Sequence, residues 1–168
     1  DLVILATPVD DIVPLATRLS RVMRPGSILT DVGSTKAAIV RELERTLPPS
    51  IAFVGGHPLA GSEQRGIDAA RADLFDHALC VVTPTRKTSA LALTRVERLW
   101  RGLGARIVRL SPSGHDRVLA GTSHLPHLVA YSLVRSVSHT LPRPPQSFLD
   151  LTRIAKSDPD LWDDIFLT

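Results

Sequence analysis

The sequence predicts an α/β fold, part of a doubly wound parallel sheet that gives way to a helical segment near Ser111. Three observations carry this. Short apolar runs, one opening the chain at 1–9 and others at 27–31, 51–54 and 79–83, alternate with stretches whose apolar residues recur at helical spacing. Each of the first three runs is followed by a turn of Gly, Ser, Thr or Pro, the kind that meets ligands at the carboxyl edge of an open sheet. Beyond Ser111 the strand-like runs cease and only helical periodicity remains.

Composition bounds the function. A chain of 168 residues is long enough for one domain with a real core, or for pieces of two. Hydrophobic residues at 43% and charged residues at 22% are ordinary for a globular protein. The net charge of +3 comes from dispersed arginines, so no nucleic-acid partner is expected. Cys80 stands alone in an apolar run, which excludes an internal disulfide and fits a reducing compartment. With no signal peptide and no run of about 18 apolar residues, a cytoplasmic location without a membrane partner is expected.

The opening apolar run, Asp1 to Val9 with Thr7-Pro8 closing it, reads as a strand covered on both faces. No methionine or turn precedes it, so the chain is expected to begin inside a domain. Ile12, Val13, Leu15, Ala16, Leu19 and Val22 then trace a helix, with Pro8 near its start, where a missing N–H costs little. Ser27 to Asp31 is the second strand and leads through Val32-Gly33-Ser34-Thr35-Lys36 to a helix ending near Leu47. Ser34 is placed to cap that helix, whose amino end suits an anionic or polar ligand.

The third strand delivers Phe53 to Glu63, FVGGHPLAGSE, the stretch around which the chain is organised. Gly55 and Gly56 let the backbone approach something closely, and Pro58 stiffens the chain after His57. The expectation is a turn presenting one imidazole at the sheet's ligand edge. A short helix or ordered loop over 63–75, a strand at Leu79 to Thr83, a helix at Ser89 to Leu103 and a strand at Ala105 to Leu110 follow. The sheet is expected to hold about six strands, the first three parallel.

In the second segment Ser113 and Asp116 resemble a capping box opening one long helix to about His139, bent at Pro126. His124 and His127, three apart, share a face and form a plausible wall of a site. A zinc site is not expected, because no cysteine or carboxylate completes a ligand set. A loop at 141–146 leads to a short helix carrying Arg153, and Pro159 starts another with Trp162, Ile165 and Phe166 on its apolar side.

Taken in order, ATPV (Ala6 to Val9), TDVGSTK (Thr30 to Lys36), GGHPLAGSE (Gly55 to Glu63), HD (His115, Asp116), SHLPH (Ser123 to His127), LTRIAKSDP (Leu151 to Pro159) and LWDDIFL (Leu161 to Leu167) resemble the prephenate dehydrogenases and their arogenate-using relatives. The resemblance covers nearly the whole chain. It implies the C-terminal part of a Rossmann-like nucleotide-binding domain over 1–110 and the start of a helical substrate-binding and dimerisation domain over 111–168. The family's Gly-rich dinucleotide turn and most of its later helices fall outside.

The implied activity is NAD- or NADP-dependent oxidative decarboxylation of prephenate to 4-hydroxyphenylpyruvate in tyrosine biosynthesis. The alternatives are arogenate oxidation to tyrosine, or a non-catalytic ligand-binding remnant. The resemblance makes His57 the base for the substrate hydroxyl, an imidazole suiting that work near neutral pH, with Ser34 holding the geometry. It makes Arg153 a partner for a carboxylate of the dianion, with His124, Ser62 and Glu63 shaping the same pocket. Ala6, Thr7, Pro8, Val9, Gly33 and Ser34 would flank the cofactor, and the full-length protein would be a homodimer. One departure stands out. The family's glycine-rich lead into its TRIA helix reads Pro144-Pro145-Gln146-Ser147-Phe148-Leu149 here.

Overall fold

A computed structural model describes residues 1–61, 70–137 and 144–167. Among them five strands form one sheet in sequential order: β1 (Leu2–Leu5), β2 (Ile28–Asp31), β3 (Ala52–Leu59), β4 (Leu79–Thr83) and β5 (Arg106–Arg109). The expected sixth strand is absent from the described residues. β1, β2 and the first part of β3 run parallel, β4 runs antiparallel to β3, and β5 runs parallel to β4.

Side-chain alternation explains why both faces are covered. Leu5 and Leu29 point to one face, where they meet Val9, Ile12 and Ala16 of α1 (Val9–Ser20) and Ile39 and Leu43 of α2 (Ala37–Thr46). Ile28, Val54, Cys80 and Val82 point to the other, against Ala92, Val96 and Trp100 of α3 (Ala90–Gly102). Strands buried on two sides need apolar residues at successive positions, which is why ILT of β2 and CVV of β4 lack the alternation of a one-sided sheet; β1, expected to be covered on both faces, leaves Ile4 exposed. Ser89 caps α3 by accepting the N–H of Ala92 at 3.4 Å. Gly104 closes its far end at φ +88°, a conformation that favours glycine.

After β5 the described chain is helical: α4 (Pro112–Leu119), a π-helical turn (Ala120–His124), α5 (Leu125–Val137), α6 (Gln146–Thr152), a 3₁₀ turn (Arg153–Lys156) and α7 (Pro159–Leu167). The long helix expected from 113 is therefore interrupted. The irregularity is a wide turn at Ala120–His124, just before Pro126 rather than at it. Single π-helical turns inside α-helices commonly sit at functional sites, and this one carries Ser123 and His124. The expected capping box does not form. Ser111, not Ser113, caps α4 by accepting the N–H of Gly114 at 3.1 Å, and Asp116 bonds elsewhere. Among the described residues no helix is long and apolar enough to cross a membrane.

Candidate active site

The expected turn at GGHP is a strand. β3 changes partner part-way: residues 52–54 pair with β2, and Gly55 to Leu59 pair with β4, His57 opposite Val81. The glycines serve the protein's own packing. A Cβ on Gly55 would collide with Thr83 Oγ1 and stand 3.0 Å from Val40 Cγ2. A Cβ on Gly56 would stand 2.9 Å from the backbone oxygen of Asp31. His57 is thus carried beyond the end of β2 on extended backbone, a more rigid mount than a turn.

Asp31, at the carboxyl end of β2, ties this mount to the neighbouring loop. Its carboxylate accepts the N–H of Gly33 and of Gly56, each at 3.0 Å, and a short ion pair from Lys36 Nζ, both side chains being wholly buried. One buried carboxylate therefore fixes both the Ser34 turn and the His57 strand. A buried charge is tolerable only when paired and hydrogen-bonded, and the three donors meet that requirement.

Ser34 does not cap α2. The helix begins after Lys36, which offers no side-chain cap. The amino end is instead closed by Asp116 of α4, whose Oδ1 accepts the N–H of Lys36 and Oδ2 that of Ala37, both at 2.8 Å. The anion expected at this helix terminus is thus a side chain of the protein itself. Oδ1 of Asp116 also lies 2.7 Å from Nδ1 of His115, and Nε2 of His115 lies 2.8 Å from Nδ1 of His57. A chain of contacts runs from the α2 terminus through Asp116 and His115 to His57.

Next to His57 opens a cavity of about 640 Å³. Ser34 and His57 line it from the sheet half, with Leu119, Ser123, His124, His127, Arg153 and Trp162 from the helical half. Four residues named from the sequence, His57, Ser34, His124 and Arg153, therefore converge on one space. Trp162 is buried and stacks on His127 with ring centroids 3.6 Å apart, while His124 meets it edge-on at 6.0 Å. Nδ1 of His127 lies 2.8 Å from the carbonyl of Ser123 and donates to it. Tyr131 donates to the carbonyl of Ser157 at 2.9 Å, fastening α5 to the turn that follows Arg153.

The remaining expectations are placed as follows. Ser62 and Glu63 lie outside the described residues. Ala6, Thr7 and Pro8 form the loop leaving β1, and the Thr7 hydroxyl is buried with no hydrogen-bond partner. Val9 is a core residue of α1, so only its backbone is free to meet a ligand. Gly33 is buried, and a Cβ there would stand 2.7 Å from Ile12 Cδ1 and 2.9 Å from Asp31 Oδ2; its missing side chain serves packing. Pro145 precedes α6 as its cap residue. Sequence reasoning gave no site role to His115, Asp116 or Trp162. The available signal was the HD dipeptide, with its aspartate five residues past the Ser111 cap and so too far along to close its own helix.

Burial, reinforced by the nearby His115 and Lys36, pushes His57 down to about 3; the imidazole is neutral at physiological pH. Burial likewise lowers His124. For Asp116, burial works against the charge, but the His115 contact and the amides of Ala37 and Lys36 hold its carboxyl below the usual range. A stability effect follows from His57. Between its unfolded value of about 6.5 and its folded value, the unfolded chain binds the proton and the native one does not. Stability is fully present above that window and falls as pH drops through it, by up to about 1.4 kcal/mol per pH unit from this group. Denaturant titrations from pH 7 to pH 4 should therefore show the wild type losing stability faster than His57→Asn. Parallel slopes would show that His57 titrates normally.

Comparison with known proteins agrees with this arrangement. The family model for the prephenate dehydrogenase nucleotide-binding domain matches residues 1–109, and that for the prephenate dehydrogenase dimerization domain matches residues 111–168. The chain is 40% identical to a prephenate dehydrogenase of Bacillus subtilis over 98% of its own length and 47% of the relative's. It is 40% identical to a cyclohexadienyl dehydrogenase of Zymomonas mobilis over 99% of its length and 59% of the relative's. Among solved structures, Aquifex aeolicus prephenate dehydrogenase in complex with hydroxyphenyl propionate and NAD+ superposes with a TM-score of 0.92 at 40% identity, covering 99% of this chain and 60% of that one. Synechocystis arogenate dehydrogenase gives 0.82 at 30% identity, over 99% and 62%. The chain spans about half to three fifths of the length of these relatives. With both halves matched in order, and with the strand-mounted histidine and the histidine- and arginine-lined cavity between them, the chain belongs to the prephenate dehydrogenase family.

Proposed function

We propose that the complete protein containing this chain catalyses the NAD(P)-dependent oxidative decarboxylation of prephenate to 4-hydroxyphenylpyruvate. The observation that carries the reading is one cavity holding both a neutral, strand-mounted imidazole and an exposed guanidinium. Prephenate is a dianion with a ring hydroxyl. Arg153 attracts a carboxylate, bidentately where the geometry allows, while Trp162, Leu119 and Ile165 offer apolar walls to the ring. His57, uncharged at neutral pH, accepts the hydroxyl proton as electrons leave the carbinol carbon. Ser34, on the loop beside it, orients that hydroxyl. Ring carboxylate departs as CO2 and the ring becomes aromatic.

NAD(P)+ supplies the hydride acceptor when bound. The loop after β1 suits such a group. Thr7 and Thr35, in the loops leaving β1 and β2, each hold a buried hydroxyl without a protein partner, and loops at this sheet edge are where dinucleotides sit in such folds. Residues 1–110 then form the nucleotide-binding part and 111–168 the start of the helical one. Leu125, Leu128 and Val129 of α5 are exposed and give the helical half an apolar surface for a second copy, consistent with a homodimer. A tyrosine-forming pathway of this kind belongs in the cytoplasm.

The test is the complete protein assayed for reduced nicotinamide with NAD+ or NADP+ against prephenate and arogenate. Turnover of prephenate is expected; turnover of arogenate alone would move the assignment to the arogenate enzymes, and turnover of neither would reject catalysis. Arg153→Ala should raise KM for prephenate about tenfold or more while changing kcat little, since a lost charge-assisted contact costs roughly 1.5–3 kcal/mol. An unchanged KM would remove Arg153 as the carboxylate anchor.

A further inference from the structure

The role of His57 leaves open which of its two nitrogens faces the substrate with a lone pair. Neutral imidazole carries its proton on one nitrogen only, and the partners of the other ring atoms decide which. The contacts around His115 make that decision. Asp116 is an acceptor on both oxygens, because backbone N–H groups of Lys36 and Ala37 point at them and can only donate. Nδ1 of His115, 2.7 Å from Oδ1, must therefore carry a proton. His115 is 0% exposed, so no solvent supplies a substitute partner, and with one ring proton, held at Nδ1 by Asp116, its Nε2 is an acceptor. Nδ1 of His57, 2.8 Å away, must then be the donor.

We propose that His115, anchored on Asp116, is a positioning residue that holds His57 as the Nδ1–H tautomer and so keeps the Nε2 lone pair for the ligand in the cavity that this ring lines. The inference rests on the reading of His57 as the base. The opposite arrangement has a definite consequence. Were His115 protonated on both nitrogens, it would donate to Nδ1 of His57, the His57 proton would sit on Nε2, and the ring would present a donor where the hydroxyl needs an acceptor. The acceptor role of Asp116 is itself secured by the α2 helix terminus, so a backbone feature of the sheet half selects the tautomer of its own histidine by way of two side chains of the helical half.

The proposal is tested by long-range proton–nitrogen correlation spectra of the complete protein labelled with ¹⁵N-histidine. Nδ1 of both His57 and His115 should be protonated and both Nε2 atoms bare. His115→Gln places an amide oxygen toward His57 and an amide NH2 toward Asp116; it should keep the His57 tautomer and a kcat within about tenfold of wild type. His115→Leu removes the acceptor, so the His57 spectrum should become a mixture of tautomers and kcat should fall about a hundredfold or more, the scale of a general base. A wild-type spectrum with the His57 proton on Nε2 overturns the proposal, and so does a folded His115→Gln protein as impaired as His115→Leu. If His115→Leu does not fold, the wild-type and His115→Gln spectra still decide. Should His57→Asn retain activity while the tautomer is as stated, the base assignment fails and the positioning does not.

Discussion

His57→Asn in the complete protein is expected to lower kcat by roughly 10²–10⁴-fold, the range a positioned general base supplies, with the Kd for the nicotinamide cofactor unchanged. The argument is local. Asparagine is shorter than histidine and cannot take up a proton, yet its amide can still donate to His115, so the buried contact at Nδ1 has a replacement and the fold should survive. The loops proposed to face the cofactor leave β1 and β2, whereas His57 lies on the β4-paired half of β3, which is why cofactor binding should be spared. Steady-state rates and cofactor fluorescence titration measure the two quantities separately. Wild-type kcat in the variant would falsify the assignment of His57 as the base.

Asp31→Ala is expected to destabilise the protein by about 3–5 kcal/mol, the cost of leaving one member of a buried ion pair alone. The Lys36 ammonium would remain buried, and the N–H groups of Gly33 and Gly56 would lose their acceptor. Asp31→Ala combined with Lys36→Met should recover part of the loss, because no charge is then stranded, although the two N–H groups stay unpaired at about 1–3 kcal/mol each. Denaturant midpoints of the wild type, the single variant and the double variant give these differences. A single-variant loss under 1 kcal/mol would show that the pair is hydrated in solution.

Much of this was legible in the chain. SILTD and LCVVT read as strands because burial on two faces leaves continuous apolar runs, LVIL read the same way although Ile4 is exposed, and the helices read from their spacing because each presents one stripe to the sheet. His57, Ser34, His124 and Arg153 were found because their motifs are distinctive, and the cavity brings them together. What sequence could not show was contact across long separation. Gly55 and Gly56 signalled close approach but not its object, which is Thr83 and the end of β2, so the segment read as a turn. Asp116 looked like a local capping residue because sequence displays only near neighbours, whereas its partners lie some 80 positions back at Lys36 and Ala37. The antiparallel reversal at β4 was likewise hidden, since strand direction depends on the connection and not on the strand's own residues.

The double duty of the Asp116 carboxylate has a consequence for how the two halves work together. The same oxygen that seats the helical half on the start of α2 also holds the His115 ring that touches His57. Any rearrangement that lifts one half from the other would disarm the histidine in the same motion, without a separate signal. On the proposed reading of His57, proton abstraction would thereby be interlocked with assembly, the base being competent only while the walls of its chamber are shut around it.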